Sequence, residues 1–139
     1  MNPNELMDKA SRAAASARLL MDAGDVDGAC NRAYYAMFDA ARAALLWSGS
    51  QVSPTVAKTH SGLISAFSLH LVKTGRLPVA LGKTLNRAAE IRMIADYTGD
   101  EVTADKAQWV IDQAELFVGV VRKEMAPPEG HAEKSAPPP

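Results

Sequence analysis

The sequence has 139 residues, a length that suits one domain with a hydrophobic core of its own. Its 15 Lys and Arg side chains balance 16 Asp and Glu side chains. A net charge this close to zero argues against broad electrostatic binding along a nucleic acid. Any contact with RNA or a nucleotide therefore needs a local cleft. Cys30 is the single cysteine, which excludes an intramolecular disulfide and a cysteine-based zinc site.

Apolar residues recur every three or four positions in the first half of the chain, the spacing that predicts amphipathic helices. The first predicted helix covers residues 4–22 and ends before Gly24. Asp25 suits the N-cap of a second helix, which continues to Ser48. The segment 49–59 contains glycine, serine and proline, so we predict a long loop there, and loops of this length often have a function.

The second half of the chain predicts three more helices. The third begins at His60 and stops at Gly75. The fourth begins near Pro78, because proline fits the first turn of a helix, and it ends in the Tyr-Thr-Gly-Asp sequence of 97–100. The fifth covers 103–125, with threonine as its N-cap, and has the most regular helical periodicity in the chain.

These helices, together with the lack of any strand-like alternation, predict an all-α fold. We expect an antiparallel bundle of four long helices plus a shorter fifth, over residues 1–125. From position 126 onward the sequence is mostly Pro, Ala, Glu and Lys without an apolar period. Such a segment cannot bury enough surface to order itself, so we predict a disordered Pro/Ala-rich tail over 126–139.

The second predicted helix has two unlike faces. Tyr34 falls on its broad apolar arc, whereas Arg32, Tyr35, Asp39 and Arg42 share the opposite side. A fully solvated face more often carries Glu and Lys, so this side is a candidate contact for a neighbouring subunit or an anionic ligand. The alternative is a solvated face with a local contact between Tyr35 and Asp39.

Arg92 occupies a position in the fourth helix where the pattern requires an apolar residue, between Ala88 and Ala95. Asp96 follows one helical turn later, on nearly the same side. An arginine directed at a bundle interior is costly unless it is paired or open to a cleft. We therefore expect Arg92 to be partly buried and paired either with Asp96 or with an anion such as phosphate.

His60 is a further candidate, because it opens the third helix beside Lys58 at the end of the predicted loop. The start of a helix offers free backbone N–H groups to an anion. His70 lies on the same helical stripe and is interpreted as a residue of the core. The histidines lack the spacing of metal ligands, so we expect neither a metal site nor a cofactor.

The first eight residues lack the basic start and apolar run of a secretory signal. Charged residues also interrupt the apolar stretches every few positions, unlike a membrane-spanning helix. We therefore expect a cytoplasmic protein without a membrane segment.

Several of these segments, taken in their order, resemble a HEPN domain (higher eukaryotes and prokaryotes nucleotide-binding). The sequence Asn-Arg-Ala-Tyr-Tyr-Ala-Met-Phe of 31–38 is similar to the second helix of that family. Three further parts of the chain are also similar to that family: Lys-Thr-His-Ser-Gly of 58–62, Arg-Met-Ile-Ala-Asp-Tyr of 92–97, and Phe117 in the last helix. The resemblance covers about 4–125. It implies an all-α bundle that usually dimerises, and frequent pairing with a small nucleotidyltransferase in toxin–antitoxin-like modules.

Many HEPN proteins are metal-independent ribonucleases in which four to six residues separate an arginine from a following histidine. Arg92 matches that arginine, but Tyr97, Thr98 and Gly99 occupy the positions of the histidine. A tyrosine near its ordinary pKa of about 10 is a poor base at neutral pH. The resemblance also implies that Tyr97 is a candidate for modification by a nucleotidyltransferase partner.

We therefore predict a homodimer that binds a nucleotide or RNA phosphate and acts with a nucleotidyltransferase partner. The candidate ligand-binding residues are Arg32, Tyr35, Lys58, Arg92 and Asp96. One alternative is a metal-independent endoribonuclease toxin that uses Arg92 with His60 or Tyr97 as catalytic residues. Another is a helical interaction module without catalysis. The missing histidine of the motif favours binding over catalysis.

Overall fold

The computed structural model describes residues 1–126 of the chain. Within this part it contains six α-helices, a π-helical turn and no β-strand, so the predicted all-α fold is confirmed. The helices are α1 (Pro3–Asp22), α2 (Val26–Trp47), α3 (Pro54–Lys58), α4 (His60–Phe67), α5 (Val79–Thr98) and α6 (Ala104–Met125). The tail predicted over 126–139 lies, beyond Ala126, outside the described residues.

Local side-chain signals set the helix ends. The Asp25 carboxylate accepts a hydrogen bond from the Gly28 N–H at 2.9 Å and so caps α2, as predicted. The Thr103 hydroxyl accepts from the Lys106 N–H at 3.2 Å and caps α6 in the same way. Gly99 ends α5 with a φ of 72°, a conformation that glycine adopts without steric cost.

The prediction of a loop over 49–59 is partly wrong, because α3 forms a single helical turn within this segment. This turn packs closely against the start of α4 at Gly62. A Cβ atom on Gly62 would lie 2.2 Å from the carbonyl oxygen of Val56, so only glycine fits there. The third predicted helix also changes character, because α4 continues into a π-helical turn, Ser68–Val72.

Helix α2 lies at the centre of the bundle. It packs along α1 and α6, and it also contacts α4 and α5. Small side chains let α1 and α2 approach closely, since their contact faces are largely alanine. Phe67 of α4 stacks on Phe117 of α6 with ring centroids 5.5 Å apart and closes another part of the core. No helix in the described part of the chain is long and apolar enough to cross a membrane.

The residues of the predicted polar face of α2 differ in how far they are buried. Asp39 is buried, whereas Arg32, Tyr35 and Arg42 are partly exposed. Oδ1 of Asp39 lies 3.8 Å from Nη1 of Arg42, and burial raises the pKa of this carboxyl group against the opposing effect of Lys9 and the two arginines. Within residues 1–126, Tyr35 makes no hydrogen bond to Asp39, and its ring packs instead against Tyr34.

Candidate functional site

The guanidinium group of Arg92 lies against the rings of two tyrosines of α2. Its Cζ atom is 5.4 Å from the ring centroid of Tyr34 and 5.2 Å from that of Tyr35. Its Nη2 atom lies 3.2 Å from Oδ2 of Asp96. The Arg92 side chain is 22% exposed, which confirms the prediction of a partly buried, paired arginine. Its Nε atom is buried and has no hydrogen-bond partner within residues 1–126.

His60, the first residue of α4, meets the same tyrosines. Its Nδ1 atom lies 2.7 Å from the hydroxyl oxygen of Tyr34. Its ring centroid is 5.5 Å from that of Tyr34, 6.0 Å from Tyr35 and 5.2 Å from Phe38. We call these four side chains, Tyr34, Tyr35, Phe38 and His60, the aromatic cluster. Arg92 covers one side of it, so the structure brings together two candidates from distant parts of the sequence.

Burial controls the protonation of the cluster. It raises the pKa of Tyr34 to about 12, so this hydroxyl stays protonated at neutral pH. Burial also lowers the pKa of His60, the nearby Arg92 charge lowers it further, and Asp96 opposes both effects. Because the ordinary pKa of histidine is about 6.5, His60 is neutral at pH 7.

The tautomer of His60 determines whether its Nε2 atom is a hydrogen-bond donor or a base. If Nδ1 accepts the Tyr34 hydroxyl proton, Nε2 carries the imidazole proton and is a donor. If Nδ1–H donates to the tyrosine oxygen, the lone pair of Nε2 is free and can act as a base. Only the second tautomer serves general-base chemistry.

The lowered pKa of His60 predicts a pH effect on stability. A depressed pKa in the folded state contributes stability that is present above the unfolded value of about 6.5 and is lost as pH falls through the folded value. We expect wild type to lose unfolding free energy between pH 7 and 5, and His60→Asn to lose less. Urea unfolding at both pH values measures this difference. His70→Asn is the control, because His70 is half-buried in the π-helical turn and is not part of the core as the sequence had indicated. An equal loss in His60→Asn and wild type contradicts the prediction.

A cavity of about 260 Å³ opens beside Arg92, between the start of α2 and the end of α5. We call it the α2–α5 cavity. It is lined by Asp27, Gly28, Cys30, Asn31, Arg92, Ala95, Asp96 and Val102. Oδ1 of Asp27 accepts a hydrogen bond from the Val102 N–H at 2.9 Å, which fixes the α5–α6 connection against α2. Burial raises the pKa of the Cys30 thiol to about 11, so it stays protonated and forms an apolar part of the wall.

The remaining predicted site residues lie elsewhere. Lys58 lines a separate cavity of about 150 Å³ together with Arg42. Tyr97 is 85% exposed, and within residues 1–126 it has no hydrogen bond or ring contact with the aromatic cluster. Arg32 is near Asp39, whose pKa its charge lowers. The structure thus brings together Tyr35, His60, Arg92 and Asp96, and leaves Lys58 and Tyr97 outside this group.

Sequence reasoning missed Tyr34 as a site residue, because its position on the apolar arc indicated only packing. The ring is fully buried, as that pattern predicts, yet its hydroxyl bonds His60 and its face meets Arg92. A buried tyrosine hydroxyl usually needs a partner, and this signal was present in the sequence. Asp27 and Asn31 were missed as well, since nothing local indicates that they face α5.

The chain is similar to several known proteins. The profile described as "HEPN domain" matches residues 3–124. A UPF0332 protein from Gloeobacter violaceus is 36% identical over 124 residues, which cover 88% of this chain and 94% of that protein. A protein from Methanocaldococcus jannaschii named "putative toxin" is 33% identical over 118 residues, 85% of this chain and 84% of that protein. A second protein of that organism with the same description is 29% identical over 120 residues, 86% of this chain and 78% of its own length.

Proposed function

The chain belongs to the HEPN domain family, and from this membership we propose that it is a toxin-like protein that binds a nucleotide or RNA phosphate. The two relatives named "putative toxin" support the toxin-like part of the proposal. The observation that carries the binding part is the partly buried Arg92, held between two tyrosine rings and a single carboxylate.

The guanidinium group has donors beyond those that Asp96 uses. Arginine offers five N–H donors in a planar fork that matches phosphate oxygens, and the contact with Asp96 involves Nη2 alone. The faces of Tyr34 and Tyr35 hold the group in place, so little side-chain entropy is lost when an anion binds. Arg92 is therefore a preorganised phosphate ligand.

Asp96 competes with a phosphate for the same guanidinium group, which provides the test. We expect Asp96→Asn to bind single-stranded RNA several-fold more tightly than wild type, because it removes the competing charge beside Arg92. Fluorescence anisotropy with a labelled RNA, at one fixed salt concentration, measures the affinity. Asp100→Asn is the matched control, an exposed aspartate four residues further along the chain. Absence of wild-type binding at low salt contradicts the proposal.

We propose that the protein acts as a homodimer and with a nucleotidyltransferase partner, as its family membership implies. Exposed apolar side chains of α5, Met93 and Ile94, support a contact surface there. Sedimentation tests the dimer, and a persistent 14.8 kDa monomer at tens of micromolar contradicts it.

The exposed Tyr97 hydroxyl is open to nucleotidyl transfer from a nucleoside triphosphate with release of pyrophosphate. Intact mass after coexpression with a small nucleotidyltransferase tests this step, and Tyr97→Phe is its control.

A second candidate function, metal-independent RNA cleavage, is favoured by one observation. Arg92 and His60 both contact Tyr34, so a cation and a neutral imidazole flank one ring. In this chemistry the free Nε2 of His60 removes the ribose 2′-hydroxyl proton and the 2′-oxygen attacks phosphorus, while Arg92 stabilises the charge on the phosphate oxygens. The bond from phosphorus to the 5′-oxygen breaks, and that oxygen leaves with a proton from water. Incubation with RNA in EDTA tests it. Cleavage that both Arg92→Ala and His60→Ala abolish supports catalysis, and intact RNA supports the binding role alone.

A further inference from the structure

We propose that the α2–α5 cavity is a nucleobase site that prefers guanine, so that Arg92 holds the phosphate at its rim while the base lies inside. This inference rests on the proposed phosphate-binding role of Arg92 and deepens it by naming the class of nucleotide. It uses Asp27 and Asn31, which the proposed function does not otherwise need.

The size of the cavity suits a ring system. Its volume of about 260 Å³ is many times the roughly 30 Å³ share of one water molecule. It is also slightly below the roughly 300–1,000 Å³ typical of sites for drug-sized ligands. The cavity opens between the first turns of α2 and the end of α5, with Arg92 in its lining. It is therefore large enough for a single base.

The polar groups of the cavity match the edge of guanine. Asp27 uses Oδ1 to accept from Val102, while its Oδ2 makes no hydrogen bond within residues 1–126. The Asn31 amide, also without a hydrogen bond in this range, offers both donor and acceptor atoms. Guanine presents neighbouring N1–H and N2–H donors, one of which the free Oδ2 of Asp27 can accept, and an O6 acceptor for the Asn31 amide donor. Uracil presents carbonyl oxygens on both sides of its N3–H, and a carboxylate repels them.

Charge orients the nucleotide in the site. The carboxylates of Asp27 and Asp96 both line the cavity and disfavour a phosphate inside it. Arg92 is the cation of this lining, so it provides the favourable phosphate contact. The remaining wall is apolar, with Ala95, Val102 and the protonated thiol of Cys30 available to the faces of a ring. These contacts are similar for every base, and the preference therefore depends on Asp27 and Asn31.

The test is calorimetric titration of wild type with GMP, AMP, CMP and UMP at one salt concentration. We expect GMP to bind about 10-fold or more tightly than UMP, since one good paired contact gives roughly that discrimination. In Asp27→Asn, Oδ1 still accepts from Val102 while an amino group replaces the free oxygen. This variant should lose the preference for GMP and gain affinity for UMP. Asn31→Ala, which removes no hydrogen bond within residues 1–126, should reduce the preference without a change in urea midpoint.

The outcomes separate this inference from the proposed function. If all four nucleotides bind equally and Arg92→Ala weakens all of them, the phosphate role stands and the guanine site is overturned. If wild type binds none of them but still binds RNA through Arg92, the guanine site alone is overturned. If Arg92→Ala changes neither nucleotide binding nor RNA binding, both proposals are overturned. A GMP preference that persists in Asp27→Asn and Asn31→Ala also overturns the guanine site, because the discriminating groups then lie elsewhere. Asp100→Asn is the control and should retain the wild-type preference.

Discussion

Tyr34→Ala is expected to reduce the free energy of unfolding by about 3–5 kcal/mol, the usual cost of removing a fully buried aromatic side chain. The change removes a ring that contacts Tyr35, Phe38, His60 and Arg92 at the centre of the bundle. The space left by the missing ring cannot collapse easily, because these neighbours are held by α2, α4 and α5 at once. Urea unfolding followed by circular dichroism measures the loss.

Two control variants separate packing from hydrogen bonding in this prediction. Tyr34→Phe keeps the ring and removes the hydroxyl that bonds His60, so it should cost only about 1 kcal/mol. Tyr97→Ala changes an exposed tyrosine and should stay within about 0.5 kcal/mol of wild type. If Tyr34→Ala costs no more than Tyr97→Ala, the central position of Tyr34 in the core is wrong.

Arg92→Ala is expected to weaken RNA binding by about 10- to 100-fold, because a hydrogen bond to a charged group contributes roughly 1.5–3 kcal/mol. Its effect on stability should be small, on the order of 1 kcal/mol, from the lost cation–π contacts and ion pair. Asp96 is 53% exposed, so the loss of Arg92 leaves its carboxylate in contact with water. Anisotropy and urea unfolding, performed on the same samples, measure both effects.

The matched control for Arg92 lies on the same helix. Arg87 pairs with Glu90 at 3.1 Å on the surface of α5, so Arg87→Ala removes one positive charge without touching the aromatic cluster. It should reduce RNA affinity only slightly. If Arg92→Ala lowers the free energy of unfolding by several kcal/mol and leaves RNA affinity unchanged, the binding role of Arg92 is contradicted. Arg92 would then serve a structural ion pair, the other interpretation that the sequence allows.

The site was only partly predictable from the sequence. Arg92 and Asp96 could be paired from their spacing alone, because residues four apart on a helix are neighbours. His60 and Tyr34 are 26 residues apart, and their hydrogen bond depends on how α4 packs against α2. Asp27 and Val102 are 75 residues apart, and no local pattern indicates that they meet.

Local sequence was sufficient to predict the long helices and the residues that end them. Caps such as Asp25 and Thr103 act on backbone groups within three residues, so their effect is legible in a short stretch of chain. The family could likewise be identified from the order of local segments. Short α3 was not predictable, because a helix of one turn is unstable alone and depends on its packing against α4. Which side chains share the site depends on tertiary packing, since the rotation and contacts of each helix depend on the whole core that it helps to bury.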